Sequence, residues 1–69
     1  MTRPARAVIW RTMLDAAGLR LVDGKVDEVA ETNLNGRQIR NLTRLAKILH
    51  PQGEVTLTQM LSVLQYGSA

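Results

Sequence analysis

Apolar residues along this chain recur three and four positions apart, interrupted by short polar segments, and divide it into four helical stretches. The first is expected over residues 4–17. Thr2 can cap it, Pro4 is tolerated in a first turn, and Gly18 supplies a left-handed stop. Val8, Ile9, Met13, Ala16 and Ala17 form its expected inner face, with Trp10 and Leu14 a second pair one position round. The clearest helix follows Asn35 and Gln38, whose spacing is that of a capping box. At 100° per residue Ile39, Leu42, Leu45, Ala46 and Leu49 fall on one arc of roughly 120°, and Leu42 and Leu45 are expected to be deeply packed. Arg37, Arg40, Arg44 and Lys47 fall together on the far side, and Pro51 and Gly53 prevent continuation. A last helix starts at Thr56, paired with Gln59 in a second capping box, and stops at Gly67. Its apolar face is Leu57, Met60, Leu61 and Leu64.

Between the first and third helices, Leu19-Arg20-Leu21-Val22 alternates as an extended connection does, and Asp23-Gly24 reads as a tight turn. A hairpin with Lys25-Val26 would be too short to stand alone. The preferred expectation makes Asp23 the cap of a short helix over residues 25–32. Val26, Val29 and Ala30 then face inward, and Asp27, Glu28 and Glu31 face water. Short amphipathic helices with brief connections specify an all-α fold, a compact four-helix bundle, in one domain spanning residues 1–69.

Composition narrows the classes. A chain of 69 residues buries only about 60% of the surface it exposes when unfolded, so the core is thin. That core must be aliphatic, because there is no Phe and only one Trp and one Tyr. The absence of cysteine excludes disulfides and thiolate metal sites and fits a reducing compartment. No apolar run approaches the ~18 residues of a membrane span, and none has the form of a secretory signal. A soluble, cytoplasmic chain without membrane contact is expected. The net charge of +3 and the pI near 10.2 permit contact with phosphates. The helical pattern begins almost at once after Met1, which points to a segment of a longer polypeptide.

Catalytic motifs are missing. The glycines at 18, 24, 36, 53 and 67 do not form a phosphate-cradling loop followed by Lys and Ser or Thr. His50 is the only histidine, and at the end of the third helix it suits a cap better than a ligand. Asp27, Glu28 and Glu31 suit a solvated surface better than a catalytic pair, and Trp10 suits packing better than base stacking. The basic row is ordinarily the solvated back of an amphipathic helix. Arg37 is different: it follows Gly36 at the helix start, where the dipole disfavours a cation and free N–H groups favour an anion.

The run Leu34-Asn35-Gly36-Arg37-Gln38-Ile39-Arg40-Asn41-Leu42 resembles the start of the third helix in the lid subdomain of AAA+ ATPases. Arg6-Ala7-Val8-Ile9-Trp10 through Leu14 is similar to the first lid helix, Val26 to Ala30 to the short second, and Val55-Thr56-Leu57 through Leu64 to the last. Where many members of the AAA clade carry Gly-Ala-Asp, this chain has Gly36-Arg37-Gln38. The resemblance implies a C-terminal lid that closes over ATP held by a P-loop subdomain outside this sequence, with magnesium bound there as well. It also implies that Arg37 is a sensor 2 arginine contacting the ATP phosphates, and that Gly36 lets the backbone approach the nucleotide. The implied partners are that P-loop subdomain and neighbouring subunits of a homo-oligomer. The chain alone would not hydrolyse ATP, whereas the complete protein would be an ATPase.

The alternative is a helix-turn-helix nucleic-acid-binding domain. A short helix, the turn Asn33-Leu34-Asn35 and a second helix carrying Arg37, Gln38, Arg40, Asn41 and Arg44 have side chains suited to bases and phosphates. A plain protein-interaction module is a third reading, with no specific residue behind it.

Overall fold

In the computed structural model, which describes residues 2–67, the first helix, α1, runs over Arg3–Ala17. It opens where expected, with the Thr2 hydroxyl accepting from the Ala5 N–H, and closes at Gly18, whose φ of 73° is the left-handed stop. Then follow β1 (Arg20–Leu21), α2 (Val26–Val29), α3 (Gly36–Leu49), β2 (Glu54–Val55) and α4 (Leu57–Gly67). Among the described residues four helices pack as a small all-α bundle, with α1 lying on α2 and α3, and α4 closing over α2 and α3. Gly67 is the last described helical residue, so what its stop would lead into lies outside the described residues.

The extended segment after α1 does not pair with its own continuation. β1 lies parallel to β2, with Arg20 beside Glu54 and Leu21 beside Val55. This joins the end of α1 to the loop after α3 and buries Leu19, Leu21 and Val55. A local hairpin would have left those side chains without a core to enter. Asp23 also has a different role from the one expected. Its carboxylate accepts from the N–H of Leu57 at 3.1 and 3.2 Å, capping α4 rather than α2. The helix expected over residues 25–32 is a single turn, though Val29 and Ala30 are buried as expected and Val26 packs against the same core.

Each longer helix is rotated from its expected face. In α1, Arg6, Ala7, Trp10 and Leu14 are buried, whereas Val8 is 58% exposed and Ala16 is exposed. Trp10 decides this: burying the largest side chain in the chain outweighs a more populous stripe of smaller ones. In α3 the buried set is Ile39, Leu42, Thr43 and Ala46. Leu45, expected to be deeply packed, lies at the edge of its arc and is half-buried, and Leu49 is 51% exposed. Thr43 enters the core because its hydroxyl donates within the helix to the Arg40 carbonyl at 2.9 Å. In α4, Val63 takes the place expected for Leu61, which is 41% exposed, while Leu57 is half-buried.

Candidate functional site at the start of α3

The chain that leads into α3 is held from behind by a buried arginine. Arg6, on α1, donates from Nε to the Ala30 carbonyl at 2.8 Å and from Nη1 to Asn33 Oδ1 at 3.4 Å. A guanidinium taken out of water needs such partners, and these fix the segment two residues ahead of the α3 cap. Arg6 was not among the residues expected to be buried. It shares the four-residue stripe of Trp10 and Leu14, and that spacing is the signal that marks it.

Asn35 then caps α3 as its spacing predicts. Asn35 Oδ1 accepts from the Gln38 N–H at 2.8 Å, and Gln38 Oε1 accepts from the Asn35 N–H at 2.9 Å. The Ile39 N–H reaches the Asn35 carbonyl at 3.0 Å. Among the described residues, this leaves the N–H groups of Gly36 and Arg37 without a protein acceptor. They are the two open donors of the α3 N-terminus, where the helix dipole is positive.

Nothing in the fold asks for glycine at position 36. Its φ lies outside the left-handed region, and a Cβ built on it would meet nothing within 4 Å. A glycine in a helix without a packing or backbone reason leaves open space over those two donors. Arg37 stands next to that space, exposed, with no ion pair or side-chain hydrogen bond among the described residues.

Arg40 and Arg44 continue the row from Arg37, equally exposed, their guanidinium groups equally without an ion pair or hydrogen bond among the described residues. Lys47 ends it half-buried, its Nζ 3.5 Å from the Gly18 carbonyl. Like charges three or four residues apart on a helix repel by about 0.2–0.5 kcal/mol per pair. Arg37 adds about 0.3–1 kcal/mol by facing the positive end of the dipole. Lys47, in the last turn, gains from the dipole about what Arg37 loses, so the repulsion within the row costs folding on the order of 1 kcal/mol, a notable fraction of what so small a domain has to spare.

Elsewhere, among the described residues, three arginines are matched and Lys25 is not. Arg3 pairs with Glu31 at 3.2 Å, Arg11 with Asp27 at 3.7 Å, and Arg20 with Glu54. These pairs are exposed and contribute little stability; the first two neutralise charge between α1 and the α2 segment, and the third lies across β1 and β2. Asp27, Glu28 and Glu31 are all exposed, as expected of a solvated edge. His50 is the C-cap residue of α3, its N–H donating to the Ala46 carbonyl. Trp10 is fully buried, as a packing residue should be.

Beside the α3 N-terminus an apolar groove of about 490 Å³ runs between α3 and α4. Leu34, Leu42, Leu45, Leu61 and Leu64 line it, with Gln38 on its edge. It accounts for the partial exposure of Leu45 and Leu61. Among the described residues no group of His, Asp or Glu side chains could hold a metal ion, and no helix is long and apolar enough to cross a membrane. Compared with family models, with curated proteins and with solved structures, the chain matches none.

Proposed function

We propose that this chain is the helical lid of an AAA+ ATPase, closing over ATP bound by a P-loop subdomain that also holds the magnesium. Arg37 would act as the sensor 2 arginine, and Gly36 would give the nucleotide phosphates access to the α3 backbone. The observation that carries this is the combination at one helix start. Two open N–H donors, a glycine that the fold does not require and an unpaired arginine that costs stability all adjoin the same space. Each favours an anion there, and hydrogen bonds to a charged partner are worth about 1.5–3 kcal/mol apiece. The groove between α3 and α4 is then the apolar face available to the P-loop subdomain or to a neighbouring subunit of a homo-oligomer.

The helix-turn-helix alternative is less well supported. Its first helix would be α2, which is a single turn over Val26–Val29 and offers little to brace a recognition helix across a groove.

Amide hydrogen exchange in the polypeptide that joins this lid to its P-loop subdomain tests the proposal. With magnesium and a slowly hydrolysed ATP analogue, the amides of Gly36 and Arg37 should exchange about tenfold more slowly or better, because each gains an acceptor. Unchanged exchange at both, with nucleotide bound elsewhere, would remove Gly36 and Arg37 from the site.

A further inference from the structure

We propose that the outer face of α3, centred on Arg40 and Arg44 with Arg37 and Lys47 at its ends, binds the phosphodiester backbone of nucleic acid without regard to base sequence. This stands on Arg40 and Arg44 and does not depend on whether Arg37 meets a nucleotide.

The first ground is the distribution of charge. Through residue 31 the chain carries five basic residues (Arg3, Arg6, Arg11, Arg20, Lys25) and five acidic ones (Asp15, Asp23, Asp27, Glu28, Glu31). From residue 32 onward it carries Arg37, Arg40, Arg44 and Lys47 against Glu54 alone. The whole net charge of +3 therefore belongs to the half containing α3 and α4. There is no carboxylate between Glu31 and Glu54 to neutralise the row from within.

The second ground is geometry. At 100° per residue the four cations share an arc of about 80°, and their steps along the axis are about 4.5, 6 and 4.5 Å, or about 15 Å from end to end. A row of that length exceeds any single small anion and matches a ligand whose charges repeat. Duplex DNA presents one negative charge about every 1.7 Å of its axis, so several phosphates lie within reach of such a row. Three of the four cations are arginines, whose planar fork grips phosphate oxygens in pairs. Exposed Asn41 lies between the row and the α3–α4 groove, one turn past Arg37.

The third ground separates nucleic acid from an acidic protein surface. Protein contacts of this kind are built around an apolar centre. Of the exposed apolar residues of α3, Leu49 points away from the row, and Ile48 flanks it only at the C-terminal end, beside Lys47 and one turn past Arg44. The stretch from Arg37 to Arg44 carries no apolar residue on this face, as a backbone-tracking surface requires.

Fluorescence anisotropy with labelled mixed-sequence DNA tests this, using a duplex of about 20 base pairs and a single strand of about the same length. The 69-residue chain should bind at about 50 mM salt and lose roughly 100-fold in affinity by about 200 mM, the slope of three to four phosphate contacts. The double variant Arg40→Gln, Arg44→Gln should bind at least about tenfold more weakly at low salt, with the salt slope reduced by about two. Glutamine keeps the helix propensity, so the melting temperature should hold or rise. Arg3→Gln with Arg11→Gln removes the same charge from the other side and should leave binding within about twofold. The proposal is overturned by absence of binding at low salt or by equal loss in the Arg3 and Arg11 control. It is equally overturned by strong preference for one base sequence, or by binding to polyglutamate or anionic vesicles while both DNAs are ignored.

Discussion

A Cβ placed on Gly53 would lie 2.6 Å from the carbonyl oxygen of Gly18, and Gly53 itself sits at φ 86°. Two backbones thus meet where the loop after α3 passes the stop of α1, and the Arg20 N–H donates to the Gly53 carbonyl at 2.7 Å beside them. Gly53→Ala should destabilise the chain by about 2 kcal/mol or more, since it adds left-handed strain to a backbone clash. Chemical denaturation measures this. An unchanged midpoint would mean that the two segments are not in contact.

Gly36 should behave in the opposite way. With open space at its Cβ position and an ordinary helical φ, Gly36→Ala should stabilise by about 0.5–1 kcal/mol. The same methyl group would crowd a phosphate at the α3 N-terminus. The predicted signature is a higher melting temperature together with weaker nucleotide binding in the complete ATPase. A gain in stability with nucleotide affinity untouched would separate Gly36 from the site.

The Asp23 carboxylate lies 34 residues away in sequence from the N–H of Leu57 that it caps. Removing it by Asp23→Ala should cost about 0.5–2 kcal/mol, even though Thr56 and Gln59 keep their own reciprocal bonds. Loss of helical protection should concentrate in the first turn of α4. Protection lost instead from α2 would restore Asp23 to the role its position in the sequence implies.

That contrast shows where sequence patterns carry information and where they stop. Caps whose partners lie three residues apart, such as Asn35 with Gln38 and Thr56 with Gln59, are written locally, and both form. The number of helices follows in the same way from local periodicity and stop residues. The pairing of Arg20–Leu21 with Glu54–Val55 and the Asp23 cap depend on where distant segments meet, which no short-range spacing encodes. Helix rotation lies between the two. The apolar arc of α3 was legible, but whether Leu45 or Thr43 turns inward depends on which neighbour covers it. At the candidate site Arg37 stands out by its position, whereas the buried Arg6 behind it is marked only by the stripe it shares with Trp10 and Leu14, because its partners Ala30 and Asn33 are distant in sequence.

Leu42 and Leu45 give a direct measure of that rotation. Leu42→Ala removes a buried side chain and should cost about 2–5 kcal/mol, enough to unfold much of so small a domain. Leu45→Ala, on the open groove, should cost clearly less. Equal losses in urea denaturation would place Leu45 back in the core.

Steady-state ATP turnover in the protein that joins this lid to its P-loop subdomain tests the function most directly, with Arg37→Ala set against Arg44→Ala and nucleic acid excluded. Both residues are exposed and unpaired among the described residues on the same face of α3, so they differ chiefly in their distance from the α3 N-terminus. Arg37→Ala should leave folding intact or slightly strengthened and lower turnover by roughly 10²-fold, the loss of a few kcal/mol of transition-state stabilisation. Arg44→Ala should remain close to the parent rate. Normal turnover in the Arg37 variant, or equal losses in both, would contradict the assignment of Arg37 to the ATP phosphates.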